Sequence, residues 1–205
     1  MPYDTKNGNS LNEIDSLIVL LAKLPGFGRR SARRAVLHMV SKRETLMAPI
    51  SQRLNDVYNK VHQCEICGNI TTSINCLICL DENRDKTKLC VVSDVSDLWA
   101  MERVNIFKGR FYVLGGLLSA LDGIGPETLK IPFLIERIKT EGVREVILAL
   151  SATINGQTTA HYIADQINNN DVEITSLAHG VPIGGDLDYL DEGTIAVALK
   201  GRKLF

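Results

Sequence analysis

Four cysteines within sixteen residues constrain this chain more than any other feature. They stand as Cys64-Glu65-Ile66-Cys67 and Cys76-Leu77-Ile78-Cys79, two C-x2-C pairs separated by eight residues. Two residues between cysteines let both sulfurs reach one metal from a single tight turn, and two such turns supply a tetrahedral S4 set. Gly68 suits the turn that brings the chain back after the first pair. A redox C-x-x-C pair or an iron–sulfur cluster uses the same residues, but the compact paired spacing favours zinc. With all four positions filled by cysteine, no site is open for a reacting water. The expectation is one structural Zn2+ per chain on Cys64, Cys67, Cys76 and Cys79. The fifth cysteine, Cys90, lies in an apolar run and reads as an ordinary buried thiol.

The residues around this finger differ in character on its two sides. Residues 10–24 carry Leu11, Ile14, Leu17, Ile18 and Leu21 at helical spacing, with Ser10 and Glu13 placed as a capping box. Pro25-Gly26-Phe27-Gly28 interrupts the pattern. A second helix is expected over about 30–41, with Ala32, Ala35, Val36 and Met39 on one face. A third is expected over about 49–62, burying Ile50, Leu54, Val57 and Val61. From residue 89 onward the pattern alternates. Short apolar runs at 89–92, 111–114, 146–150 and 172–177 suit buried strands, and helical patterns at 95–104, 132–140 and 158–167 separate them. Such alternation implies βαβ units and a parallel sheet covered on both faces. Residues 115–131 form a longer glycine-rich connection.

Charge follows the same division. Residues 1–63 hold 10 Lys/Arg against 5 Asp/Glu, whereas 64–205 hold 13 against 19, although the whole chain is only −1. A basic end and an acidic remainder fit a nucleic-acid-facing N-terminal part. Four arginines fall within residues 29–34 of the segment Leu24-Pro25-Gly26-Phe27-Gly28-Arg29-Arg30-Ser31-Ala32-Arg33-Arg34. Gly26 and Gly28 let the backbone approach a phosphate, and the new helix offers free N–H groups and the positive end of its dipole. Arg30 and Arg34 lie one turn apart. With Arg29, Arg33 and Lys23 as lesser contributors, they can neutralise phosphates without reading sequence. The pattern looks like a helix-hairpin-helix.

In this order, a helix-hairpin-helix, a four-cysteine finger and a C-terminal α/β part resemble the RecR family of bacterial recombination mediators. Local matches include Cys64 to Asn69, Val113-Leu114-Gly115-Gly116-Leu117-Leu118-Ser119, Leu121-Asp122-Gly123-Ile124-Gly125-Pro126-Glu127, and His179-Gly180-Val181-Pro182-Ile183-Gly184-Gly185-Asp186-Leu187. The resemblance implies a multi-part α/β fold. Its parts would be a helix-hairpin-helix unit at 1–63, the finger at 64–79, a Toprim domain at 80–180 and a Walker-B-like, oligomerising segment at 181–205. Toprim enzymes hold magnesium with a Glu after the first strand and a later Asp-x-Asp. Here those positions read Ser93, Asn155 and Gln157, none acidic. Asp94 and Asp97 lie nearby, but a helix start is the simpler account of both. Asp186, Asp188, Asp191 and Glu192 follow Gly184-Gly185, yet the chain contains no G-x-x-x-x-G-K-[ST] phosphate cradle.

The function implied is non-enzymatic, with no catalytic residue. The protein would bind single- and double-stranded DNA and act with RecO, and at some sites RecF, to help RecA displace single-strand-binding protein. It would assemble as dimers and ring-like tetramers. The absence of a signal segment or a long apolar run points to the cytoplasm, and the resemblance implies association with the nucleoid there. Two other classes stay open at this level, a magnesium-dependent Toprim nuclease or topoisomerase and an interaction module that never touches DNA.

Overall fold

The structure is a computed structural model, described over residues 12–167, 171–178 and 180–202. Leu11, Ser10 and His179 lie outside the described residues. The chain divides into two units, the first ending at Lys60 and the second beginning at Val61.

The first unit is helical. Helix α1 (Glu13–Leu21) starts at Asn12, whose side chain accepts the Asp15 N–H at 2.8 Å. That cap is the one visible among the described residues, and the helix is shorter than its apolar period because residues 22–24 turn toward Pro25. Helix α2 (Arg29–Ser41) packs Ala32 and Val36 against Ile18, with Leu17, Leu21 and Met39 around them. A π-helical turn, Arg43–Met47, then leads into α3 (Ala48–Lys60). Helix α3 differs from expectation in one important respect. Ile50, Leu54, Val57 and Val61 are 37%, 66%, 50% and 42% exposed, not buried. Helical spacing creates an apolar stripe, but burial needs something to pack against it.

The second unit is built on a four-stranded parallel sheet in the order β4-β3-β5-β6. The strands are β3 (Asp85–Val92), β4 (Gly109–Val113), β5 (Glu145–Ala149) and β6 (Glu173–Ser176). Side chains alternate across β3 and both sets are buried, as a parallel sheet requires. Leu89 and Val91 join Val146 and Leu148 under α6 (Ile131–Thr140) and α7 (Ile154–Gln166), where Leu134, Ile138 and Ile163 fill the layer. Cys90 and Val92 face the other way, toward Phe111 and Leu98 of α5 (Val95–Val104). Cys90 is fully buried, and desolvation pushes its thiol up to about 12. Helix α8 (Glu192–Lys200) closes the described chain, and no described helix is long and apolar enough to cross a membrane.

Helix α7 begins four residues before its sequence pattern suggests, because Thr153 caps it. The Thr153 hydroxyl accepts the Gly156 N–H at 3.2 Å. Gly156 is required by close approach and not by dihedral angle. A Cβ there would lie 2.0 Å from the Ser151 carbonyl oxygen. Gly156→Ala is therefore expected to destabilise the second unit by about 3 kcal/mol, since backbone must move to make room. Urea denaturation of the two proteins measures this directly.

Candidate metal centre and nucleic-acid interface

The sixteen-residue finger shows little periodicity because its backbone is set by turns. Strand β1 (His62–Gln63) pairs antiparallel with β2 (Ile70–Thr71), and the first cysteine pair occupies the connection. Gly68 donates to the Cys64 carbonyl at 2.8 Å, and Cys64 donates to that of Asn69 at 2.7 Å. Gly68 sits at φ +77°, and a Cβ there would come 2.9 Å from the Val113 carbonyl. Glycine is thus needed both for the left-handed turn and for contact with the sheet. The second pair sits at α4 (Leu77–Leu80), a short helix whose Ile78 reaches the core beside α5.

These turns bring Cys64, Cys67, Cys76 and Cys79 together. Their sulfurs all lie within 4.8 Å of one another, with three residues buried and Cys79 half-buried. The Cys67 and Cys76 sulfurs are 3.5 Å apart. A tetrahedral zinc with ~2.3 Å bonds needs sulfurs about 3.8 Å apart, so the donor set fits a metal ion with little movement. Cys76 also donates its N–H to the Cys64 sulfur at 3.5 Å. His62 is not part of this group.

Without a metal, Cys67, Cys76 and Cys79 hold their protons unequally. The Cys79 thiol hydrogen-bonds Cys67 and, helped by the Asn69 N–H, draws it down to about 6 despite burial. Cys79 is pushed up by that same bond and then by burial, and Cys76 by burial first. All four ligands must be thiolates, so metal uptake releases the protons that Cys76 and Cys79 otherwise hold. Retention is accordingly expected to be firm at alkaline pH and to weaken steadily as pH falls toward about 5. Zinc transfer to a chromophoric chelator, followed across that range, should accelerate on acidification.

The finger is fastened to the sheet edge. Val113, on edge strand β4, donates to the Cys67 carbonyl at 2.8 Å. Arg137 on α6 donates to the carbonyls of Ile66 and Phe111, both at 3.0 Å. The Trp99 indole, 55% exposed on α5, donates to the buried Asn69 side chain at 3.1 Å. Trp99 is therefore held by a polar contact and does not fill the core. Arg84 grips Glu102 through two bonds, at 2.6 and 2.8 Å, as the chain leaves the finger. None of Arg137, Val113 or Trp99 carries a sequence signal for this role.

The hairpin before α2 is a tight turn in which Phe27 donates to the Leu24 carbonyl at 3.0 Å. Gly26 has φ +76°, which favours glycine, whereas Gly28 is extended at φ −79° and serves as the N-cap. Arg29, Arg30, Arg33, Arg34 and Lys23 are all exposed, and no acidic residue occupies the first turn of α2. The resulting cationic face adjoins a helix N-terminus, an arrangement chemically suited to phosphate.

Ser93, Asn155 and Gln157 follow the carboxyl ends of β3 and β5. Ser93 donates to Asp97 at 2.5 Å. Asp94 caps α5, accepting the Ser96 and Asp97 N–H groups, while Asp97 accepts the Asp94 N–H, a full capping box. Hydrogen bonds from Ser96 hold the Asp94 carboxyl below its ordinary range. Both carboxylates are thus occupied by the helix start, as the sequence implies. Asn155 and Gln157 are exposed on the first turns of α7, and Gln157 lines a cavity of about 440 Å3 with Ser151, His161 and Ser176. In the C-terminal acidic stretch, Asp191 caps α8 by accepting the Thr194 N–H and hydroxyl, at 2.9 and 2.6 Å.

Comparison with known proteins matches three stretches of the chain to family models. Residues 14–58 match the RecR helix-hairpin-helix, 87–178 a Toprim domain and 180–203 the RecR C-terminal segment. The recombination protein RecR of Ruegeria sp. (strain TM1040) is 60% identical over 192 residues, covering 94% of this chain and 96% of its own. That of Ruegeria pomeroyi is 59% identical over 194 residues, covering 95% and 98%. That of Brucella anthropi is 57% identical over 190 residues, covering 93% and 94%.

Proposed function

Since the chain belongs to the RecR family of recombination proteins, we propose that it is a non-enzymatic mediator acting with RecO, and at some sites RecF. In this reading it helps RecA replace single-strand-binding protein on single-stranded DNA. The observation that carries the DNA-binding part is the exposed arginine face at the start of α2. Arg30 and Arg34 are the principal phosphate contacts, with Arg29, Arg33 and Lys23 beside them and Gly26 and Gly28 shaping the turn. The zinc ligands are Cys64, Cys67, Cys76 and Cys79, and one zinc per chain has a structural role.

Self-association into dimers and ring-like tetramers gives the modest charge its effect, because linked copies bind the same DNA at high effective concentration. The apolar face of α3 supports this. Ile50, Leu54, Val57 and Tyr58 follow helical spacing and are exposed in the single chain. Leu54→Glu is expected to shift the protein toward smaller species in sedimentation velocity, without lowering its helix content. An unchanged distribution would remove α3 from the interface.

The absence of enzymatic activity rests on Ser93, Asn155 and Gln157 standing where carboxylates would hold magnesium. Asp94 and Asp97, committed to the α5 cap, do not replace them. Plasmid DNA incubated with pure protein and magnesium should remain intact. The decisive assay is RecA filament assembly on single-stranded DNA coated with single-strand-binding protein, with cognate RecO present. Acceleration that depends on this chain is the expected result. No acceleration with active RecO and folded, metal-loaded protein would refute the mediator reading.

A further inference from the structure

The metal centre has a neighbour whose burial needs an explanation. Arg137 is only 9% exposed, although a guanidinium is costly to bury unless its N–H groups are used. Its Nε donates to Glu141 at 3.0 Å. Its Nη1 serves two carbonyls at once, Ile66 in the first cysteine turn and Phe111 in β4. Its Nη2 is buried without a hydrogen-bond partner among the described residues. The side chain thus leaves both N–H groups of Nη2 unused while holding those two carbonyls.

The Ile66 carbonyl is a consequential place to hold. The peptide group is planar, so fixing that C=O also fixes the N–H of Cys67 and the direction in which the Cys67 Cα leaves it. Cys67 is held from its other side by Val113, through the 2.8 Å bond to its own carbonyl, and is followed by Gly68 pressed against Val113. The first cysteine turn is therefore tied to α6 and β4 on both flanks. The second turn has a different support. Among the described residues its Cys76 carbonyl accepts only local N–H groups, from Cys79 and Leu80, and Ile78 packs beside α5.

We propose that Arg137 is a positioning residue for the metal centre, fixing the first cysteine turn in ligating geometry so that α6 governs how long the metal is retained. This rests on the reading of the four cysteines as a metal site. Hydrogen-bonded groups just outside a ligand shell commonly change metal affinity by about 10–100-fold, and this contact acts on the peptide that carries a ligand.

The test uses the full chain, zinc-loaded, mixed with excess chromophoric chelator, in wild type and in R137Q, R137K and E141Q. R137Q should release zinc about tenfold faster or more. R137K should fall between, because an ammonium has donors enough for both carbonyls but sits on a stem one atom shorter than the reach to Nη1 and lacks the Nε that bonds Glu141. E141Q, which leaves both carbonyl contacts in place, should stay within about threefold of wild type. Cobalt-substituted R137Q should show altered ligand-field bands, which loss of stability elsewhere would not produce. Wild-type release rates in both R137K and R137Q would overturn the proposal, and if R137Q does not fold, the R137K rate decides. Failure of wild type to take up zinc or cobalt would instead refute the metal-site reading itself.

Discussion

Cys67→Ser is expected to abolish stoichiometric zinc and to lower the melting temperature of the second unit by about 10 °C. Cys67 is fully buried, its sulfur lies 3.5 Å from that of Cys76, and its carbonyl accepts an N–H from the sheet edge. Loss of the metal therefore loosens the cover of β4 as well as the finger. Structural zinc contributes roughly 10–16 kcal/mol in isolated finger peptides. Here the sheet supports much of the backbone already, so about 3–5 kcal/mol is expected, at about 2–4 °C per kcal/mol for a chain of this size. Metal analysis paired with calorimetry measures both quantities. A metal-free variant that melts like wild type would show that the finger and the sheet are energetically separate.

The second large effect concerns DNA. The double variant Arg30→Ala, Arg34→Ala should bind DNA about 10–100-fold more weakly at low salt. Its logarithmic salt dependence should be shallower by about 1.8 on duplex and about 1.4 on single strands, the counterions of two phosphate contacts. The loss should be similar across sequences, since such contacts carry no base information. Arg53 provides the control. It is exposed on α3 and paired with Asp56 at 3.3 Å, so Arg53→Ala should change affinity by no more than about twofold. Fluorescence anisotropy over a salt series reads both affinity and slope. An unchanged slope in the double variant would place the DNA contact elsewhere on the chain.

Both sites are set out in local sequence. The cysteine spacing already implies one metal, because a C-x2-C turn brings its two sulfurs together whatever surrounds it. Likewise Asp94 and Asp97 stand three apart before an apolar run, and their capping box forms from local backbone alone. The parallel sheet was legible for the same reason, since strand-length apolar runs alternate with helical periods and β3 is buried on both faces. The start of α7 was not, because Ser151-Ala152-Thr153-Ile154-Asn155-Gly156 contains no apolar period and depends on a threonine cap.

What sequence determined by itself, then, is what lies within a few residues of its cause: the two cysteine turns, the arginine cluster at a helix start, the alternation of strands and helices. Tertiary structure alone decided where those pieces are held. Arg137 lies 71 positions from Ile66, and Trp99 lies 30 from Asn69. No periodicity links such residues. The apolar stripe of α3 is the converse case, since a helical period makes one face apolar but cannot say what covers it, and in the single chain that face is open. Burial and long-range hydrogen bonding belong to pairs of surfaces, and a pair is fixed only when the whole chain has folded.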